Sequence, residues 1–173
     1  CNEEYKLELK PNSTPYHTQA YLVPQVYEAQ FWHEIDRLCE IGVLHKVNWT
    51  AWAASCFIIP KKDGTVYFIT DFRELNKCVK RKPFPIPKIQ DLLLKLEGFQ
   101  YATSLDLNMG YYHIELSPFS RELCTIVLPW GKYEYQQLPM GLANSPDIFQ
   151  EKINDLLGNL EYQSLHRWLS HHN

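Results

Sequence analysis

At 173 residues, 45% of them hydrophobic and 14% aromatic, the chain is long and apolar enough for one globular domain, which excludes a disordered segment. Its formal net charge is −3, whereas nucleic-acid-binding domains typically carry an excess of basic residues. A local basic run could still meet phosphates, although by itself it is more typical of a solvated face: Lys77, Lys80, Arg81, Lys82 and Lys88.

The cysteines and the apolar runs indicate the compartment. Five cysteines, an odd number without Cys-x-x-Cys spacing, argue against a disulfide framework and against a zinc site. No apolar run reaches the length of a membrane span, and the stretch CNEEYKLELK is too polar for a secretory signal. We therefore expect a soluble intracellular protein, cytoplasmic or nuclear, that has no membrane partner.

The first half of the chain predicts an extended segment, a helix and a hairpin. Residues 1–24 contain several prolines and little periodicity, which predicts an extended leader. Pro24 can open a helix that Gly42 ends. The apolar positions of this helix recur at helical spacing: Trp32, Ile35, Leu38 and Cys39. The runs SCFIIP and TVYFITDF, separated by the turn KKDG, predict a β-hairpin.

The second half mixes helices and strands. After the Pro-rich interruption KPFPIP, the leucines of KIQDLLLKLEG predict a helix, and TSLDLNMGYYHIEL reads as a strand followed by a turn. LCTIVLP and KYEYQQLP predict a second hairpin around Trp130 and Gly131. A last helix has Ser145 as N-cap, Pro146 at its first position and an apolar stripe that ends before Gly158: Ile148, Phe149, Ile153, Leu156 and Leu157. Without regular β-α alternation, the predicted class is α+β.

Asp106 is the single carboxylate of the stretch TSLDLNMGYYHIEL. An aspartate at a strand end often accepts hydrogen bonds from nearby backbone N–H groups, and taken alone this is the simpler interpretation. The alternative is a ligand that holds a hard divalent cation such as magnesium through oxygen. A magnesium ligand needs further oxygen ligands, so this alternative depends on the rest of the chain.

Four segments carry a resemblance to a known family. They are IIPKKDGTVYFITDFRELNK, SLDLNMGYYHIEL, LPWGKYEYQQLPMGLANSPDIFQ and the helix that begins at Ser145. In this order they resemble the reverse transcriptases of gypsy-class long-terminal-repeat retrotransposons, over about residues 20–162. The resemblance implies the fingers and a partial palm of a right-hand polymerase, with the thumb absent.

The resemblance also implies how the chain is divided. In chain order it implies a leader (1–24), the first part of the fingers (25–82), the first part of the palm (83–114), the second part of the fingers (115–143), the palm helix (144–162) and a tail outside the family pattern (163–173).

The metal ligands and partners follow from the same resemblance. In this family Asp106 is the first of three carboxylates that hold Mg²⁺, and the backbone carbonyl of Leu107 is a further ligand. A pair of such cations activates the primer hydroxyl and holds the triphosphate. The implied partners are an RNA or DNA template-primer and a deoxynucleoside triphosphate, whereas the sequence does not indicate an oligomeric state.

The nucleotide-binding residues implied by the resemblance lie in three segments. Lys61 matches a lysine that neutralises the γ-phosphate, and Arg73 matches an arginine of the template-facing fingers, held by a carboxylate such as Asp71. Tyr111 matches a steric gate against the 2′-hydroxyl, although without the family a tyrosine here reads as a core residue. The loop residues that face nucleotide and template are Met140 and Gly141.

Two departures from the family pattern predict impaired chemistry. Tyr67 stands where the family has an arginine that clamps the α-phosphate, and losing such a donor costs on the order of a hundredfold or more. Beyond NDLLGNLEY the family soon reaches Tyr-Xaa-Asp-Asp, which carries the other two ligands, but no aspartate follows Asp155 here. We therefore expect a chain truncated before that motif and inactive alone.

The tail, residues 163–173, suggests a hypothesis for the missing motif. The segment Leu-His-Arg-Trp that starts at Leu165 can be encoded CTA-CAT-CGA-TGG, which gives Tyr-Ile-Asp-Gly when read one base later. The tail is then a frameshifted remnant, and other codons in the coding DNA would reject this interpretation.

Three functions remain open. The chain is part of an RNA-directed DNA polymerase, a non-catalytic fingers module that binds nucleic acid through Lys61, Arg73 and the basic run, or a retroelement relic without selected function. Salt-sensitive binding would favour the second. Unpaired strand edges and aggregation would favour the third.

Overall fold

The structure is a computed structural model that describes residues 4–61, 66–85, 107 and 109–157. Its helices are α1 (Gln25–Glu40), α2 (Arg73–Cys78), α3 (Pro118–Leu123) and α4 (Ser145–Leu157), with a 3₁₀ turn at Gly110–His113. Its strands are β1 (Leu44–Val47), β2 (Ala54–Pro60), β3 (Val66–Thr70), β4 (Thr125–Leu128) and β5 (Gly131–Tyr135). None of the helices described is both long and apolar enough to cross a membrane.

The described strands form one sheet in the order β1-β5-β4-β2-β3. Both predicted hairpins are confirmed, because β2 pairs antiparallel with β3 and β4 pairs antiparallel with β5. Strands β2 and β4 run parallel at the centre of the sheet. Strand β1 was not predicted, since its four residues are too few to establish an alternating pattern. The fold is therefore mixed, with helices packed around a sheet.

Helix α1 confirms the prediction of a helix, but its buried residues differ from those predicted. Phe31, Ile35 and Leu38 are buried, whereas Trp32 is 40% exposed. The indole of Trp32 instead lies edge-on to the ring of Trp130, with their centroids 4.8 Å apart. Pro24 is the N-cap rather than the first helical residue. The predicted end of the helix is confirmed, because Gly42 reverses the chain with a φ of +76°.

Helix α4 is also confirmed, but Ser145 does not cap it. The helix already includes Ser145 as its first residue, so Ser145 does not occupy the capping position before it, and its hydroxyl donates to the Pro139 carbonyl at 2.6 Å. The Ile148 N–H donates to the Asn144 carbonyl, which extends the helical hydrogen bonding back to Asn144. The predicted apolar stripe is shorter than expected, because Leu156 is 76% exposed.

Two six-residue helices, α2 and α3, were missed, because segments this short carry less than two turns of apolar periodicity. Helix α3 has proline in its first turn, a signal that could have located it. The predicted helix at 88–98 and the beginning of the predicted strand at 103–106 lie outside the described residues.

The N-terminal segment, residues 4–24, packs against the domain without forming a helix or a multi-residue strand. Tyr5 bridges to Leu116, and the backbone N–H of Leu7 donates to the Ser120 hydroxyl at 2.8 Å. The Leu7 side chain is 1% exposed and belongs to the hydrophobic core. This segment therefore contributes to the stability of the domain.

We expect Leu7→Ala to lower the free energy of unfolding by about 2–5 kcal/mol, because the truncation leaves a cavity in the core. A matched control in the same segment is Leu22→Ala, since Leu22 is 96% exposed and a surface change costs at most about 0.5 kcal/mol. Urea unfolding followed by circular dichroism measures both. Equal effects of the two substitutions would show that the N-terminal segment does not pack as described.

Candidate functional site

Three residues from separate segments meet beside strand β3. The Tyr67 hydroxyl donates to the thioether sulfur Sδ of Met140 at 3.3 Å. The Lys61 ammonium lies 6.0 Å from the centroid of the Tyr67 ring, within reach of a cation–π interaction. Tyr67 and Met140 are 44% and 39% exposed, so the cluster is open to solvent. The structure thus places the predicted site residues Lys61 and Met140 each next to Tyr67, the residue that departs from the family pattern.

Gly141 continues the chain from this cluster along strand β3. Its φ is +93°, a left-handed conformation that favours glycine. A Cβ atom at this position would lie 3.3 Å from the Thr70 carbonyl oxygen and 3.5 Å from Cδ2 of Phe72. The Gly141 backbone therefore lies close to strand β3, while its contact with nucleotide stays a prediction.

The loop that carries Met140 and Gly141, residues 139–145, is anchored by a residue that the sequence analysis missed. Asn76 of α2 donates from Nδ2 to the Gly141 carbonyl at 3.0 Å and accepts the Ala143 N–H at Oδ1 at 2.8 Å. Asn144 donates to the Lys80 carbonyl at 2.9 Å. No local sequence pattern joins Asn76 to residues 65 and 67 positions further along the chain.

Arg73 forms the ion pair that the sequence predicted. Its guanidinium donates from Nε and Nη2 to the two carboxylate oxygens of Asp71, at 2.8 and 2.6 Å. These hydrogen bonds hold the pKa of the Asp71 carboxyl below its usual value. The Arg73 side chain is 80% exposed against 13% for Asp71, so the guanidinium is oriented by Asp71 yet faces solvent. Its role beside the template stays a prediction.

Tyr111 lies in the 3₁₀ turn and packs against helix α4. Its ring meets that of Phe149 edge-on, with the centroids 5.1 Å apart. A Cβ atom on the neighbouring Gly110 would stand 2.8 Å from the Phe149 ring, so glycine is needed for this close packing. Tyr111 is half-buried, which suits both a core tyrosine and a ring that also borders a ligand.

Several buried polar side chains contact one another around Thr70, at the end of strand β3. The Tyr135 and Thr70 hydroxyls are 3.1 Å apart, and the Thr70 hydroxyl lies 3.4 Å from the Cys56 sulfur. The Tyr112 ring stacks on that of Tyr135, and burial raises the pKa of Tyr112 to about 12. These groups stay neutral near pH 7, so they support strand β3 without adding charge to the site.

The basic run is paired with acids. The four members that the structure describes each lie within 4.0 Å of a carboxylate, with the pairs Lys77–Glu74, Lys80–Glu8, Arg81–Asp147 and Lys82–Glu8. Acidic partners reduce the attraction of such a run for phosphates, because each phosphate must compete with a carboxylate already in place. This arrangement favours the solvated-face interpretation of the run.

The described residues do not by themselves form a magnesium site. Asp106 lies outside the described residues, and Leu107, which offers only its backbone carbonyl, is 51% exposed. Among residues 4–61, 66–85, 107 and 109–157, no group of three or more His, Cys, Asp or Glu side chains could hold a metal ion. A single carbonyl does not bind magnesium, which takes six oxygen ligands.

Comparison with protein-family models matches residues 59–169 to "Reverse transcriptase (RNA-dependent DNA polymerase)". The chain is 30% identical to a retrovirus-related Pol polyprotein from transposon opus of Drosophila melanogaster, over 88% of this chain and 16% of that protein. It is also 30% identical to the transposon Tf2-3 polyprotein of Schizosaccharomyces pombe, over 90% of this chain and 12% of that protein. The chain thus spans less than a fifth of the relatives it matches.

The fold is similar to that of solved polymerase structures. A crystal structure of prototype foamy virus protease-reverse transcriptase superposes with a TM-score of 0.80 and 25% identity, covering 90% of this chain and 21% of that one. A structure of the foamy viral protease-reverse transcriptase in complex with RNA/DNA hybrid superposes with a TM-score of 0.75 at 22% identity, over 90% of this chain and 21% of that one.

Proposed function

Because this chain belongs to the reverse transcriptase (RNA-dependent DNA polymerase) family, we propose that it forms the fingers and part of the palm of a gypsy-class retrotransposon polymerase. The single observation that carries this proposal is the family match across residues 59–169, which includes the loop that places Met140 beside Tyr67. The reaction is template-primed nucleotidyl transfer, and the substrates are a template-primer and deoxynucleoside triphosphates.

Each predicted site residue has a role in this proposal. Lys61 neutralises the triphosphate, and Met140 with Gly141 borders the nucleotide. Tyr111 limits the space at the 2′ position of the incoming sugar. Arg73, oriented by Asp71, contacts the template. The support for these roles is that Lys61 and Met140 both lie against Tyr67, in an opening to solvent.

The reaction also needs metal ligands beyond those described. The family normally uses divalent metal ions, which activate the primer hydroxyl and hold the triphosphate. We propose that Asp106 and the Leu107 carbonyl supply part of this site. The 173 residues contain no Tyr-Xaa-Asp-Asp motif, so two of the family's three carboxylates are missing from them. We therefore expect these residues alone to bind substrates without extending a primer.

A non-catalytic nucleic-acid-binding module is the second candidate. The observation that favours it is the exposed guanidinium of Arg73, which keeps N–H donors free for a phosphate while Asp71 holds its orientation. The paired basic run does not support it. Both candidates suit an intracellular location, cytoplasmic or nuclear, because the cysteines that the structure describes are free thiols.

Binding of a labelled RNA·DNA template-primer, followed by fluorescence anisotropy at several salt concentrations, tests the shared part of both candidates. We expect the affinity to fall steeply as salt rises, because phosphate contacts release counterions. Arg73→Ala should lower the slope of log K against log salt by about one. Lys77→Ala is the matched control on the same helix, and its pairing with Glu74 predicts little change.

The outcomes separate the candidates from a relic. An affinity that does not change with salt concentration would contradict the proposed role of Arg73. Equal effects of Arg73→Ala and Lys77→Ala on the salt dependence would contradict it too. No binding at low salt by a folded chain would favour a relic without function. Primer extension then separates a polymerase from a binding module.

A further inference from the structure

Asn76 is the one side chain of α2 that reaches across to the 139–145 loop with two hydrogen bonds, among the contacts that the structure describes. Its amide nitrogen faces the Gly141 carbonyl at 3.0 Å, and its amide oxygen faces the Ala143 N–H at 2.8 Å. A backbone carbonyl only accepts and a backbone N–H only donates, so these partners fix the orientation of the amide group. The site therefore requires a donor and an acceptor side by side, which asparagine supplies.

The helix under Asn76 is well anchored despite its length. Leu75 is fully buried, and Phe72, the N-cap residue, is 2% exposed. The backbone N–H of Asn76 donates to the Phe72 carbonyl at 2.8 Å. The carboxamide is thus attached to a backbone that is held in place. Its two hydrogen bonds therefore restrain the position of the loop.

The restraint acts on the two peptide units that follow Gly141, directly after Met140 in the chain. The Gly141 carbonyl belongs to the residue that follows Met140, and the left-handed φ of Gly141 places its backbone against the Thr70 carbonyl. On the other side, the Met140 sulfur accepts the Tyr67 hydroxyl at 3.3 Å. Loss of the Asn76 contacts would release the Gly141 carbonyl and the Ala143 N–H, while Asn144 and Ser145 would still hold the end of the loop.

We propose that Asn76 is a positioning residue, whose carboxamide fixes the 139–145 loop so that Met140 stands beside Tyr67 and Lys61. Its effect on nucleotide binding rests on the proposed function, whereas its effect on the loop does not. Asn76 itself has no direct contact with the substrate in this proposal.

The two methionines of the chain, Met109 and Met140, give a direct readout of this proposal. With ¹³C-methyl methionine, the NMR spectrum contains one resonance from the loop and one from the start of the 3₁₀ turn, assigned with Met109→Leu. At pH 7.5 we expect both Asn76→Ala and Asn76→Asp to shift or broaden the Met140 resonance. The Met109 resonance should stay in place and so report an intact fold.

A pH comparison separates positioning from general loss of structure. In Asn76→Asp the ionised carboxylate cannot donate to the Gly141 carbonyl, but the protonated acid can donate there and still accept the Ala143 N–H. The Gly141 carbonyl favours the protonated form, whereas the Ala143 N–H and nearby cations such as Arg73 favour the carboxylate. We therefore expect the Met140 resonance of Asn76→Asp to return towards its wild-type position as the pH falls from 7.5 to 4. Asn76→Ala has no such group and should not recover.

Controls cover the other titrating groups and the substitution itself. The wild-type chain at both pH values corrects for every other ionisable group. Asn48→Ala and Asn48→Asp make the same changes at an exposed asparagine and should leave Met140 unchanged. If Asn76→Ala also loses the Met109 signal, recovery of the Met140 resonance in Asn76→Asp at the lower pH would still show that the Asn76 side chain positions the loop.

Titration with RNA·DNA template-primer and a deoxynucleoside triphosphate then tests the link to function. We expect the Met140 resonance of the wild-type chain to shift on nucleotide addition, and Asn76→Ala to bind nucleotide on the order of tenfold more weakly. A Met140 resonance unchanged in both Asn76 variants would overturn the positioning role. Perturbation by Asn76→Ala without any nucleotide response in wild type would support positioning and contradict the proposed function.

Discussion

Replacing Tyr67 by arginine is expected to raise kcat/KM for nucleotide incorporation by on the order of a hundredfold, in a chain completed with the remaining palm and thumb of a relative. The single hydroxyl of Tyr67 donates to the Met140 sulfur, so it is not directed at a phosphate. A guanidinium at the same place offers several N–H donors and a full charge to the transferring phosphoryl group. It would also stand near Lys61, but the triphosphate between them offsets their repulsion.

The matched control for this prediction is Tyr67→Phe, which keeps the ring beneath Lys61 and removes only the hydroxyl. We expect it to stay within a few-fold of the parent, because it changes neither the charge nor the aromatic contact. Single-turnover incorporation of one nucleotide measures all three proteins. If Tyr67→Arg is no faster than Tyr67→Phe, then this position does not contact the transferring phosphate.

Local sequence patterns located most of the described fold. The two hairpins and the long helices α1 and α4 have enough residues for the spacing of their apolar residues to indicate a strand or a helix. Strand β1 and helices α2 and α3 are too short for that, and they form because the surrounding core binds their apolar residues. Leu7 shows the same limit, since nothing in a proline-containing extended segment marks one leucine as core.

The candidate site was predictable only in part. The meeting of Tyr67 and Met140 joins residues 73 positions apart, so the family resemblance located this region where periodicity could not. The Asp71–Arg73 pair was implied by the family resemblance, and the structure contains this ion pair. Asn76 was missed because its partners are backbone groups, which any residue type supplies. The assignment of Ser145 was wrong by one position, because the helix begins at Ser145 itself, and the exact first residue of a helix is hard to predict from sequence.

Asp106→Asn has the largest expected effect of the substitutions considered. In the completed chain we expect primer extension to fall by on the order of a thousandfold or more, because a catalytic metal ion stabilises the transition state by several kcal/mol. Asparagine keeps the size of the side chain and removes the charge that binds the cation. Asp155→Asn, at an exposed position of α4, is the matched control and should retain full activity.

Primer extension on an RNA template with magnesium compares the 173-residue chain with the completed chain, with and without Asp106→Asn. We expect extension by the completed chain alone, with both the 173 residues and the Asp106→Asn variant inactive and thermal unfolding of the variant unchanged. Extension by the 173-residue chain, or by the completed chain carrying Asp106→Asn, would contradict the assignment of Asp106 as one of three carboxylates that must act together.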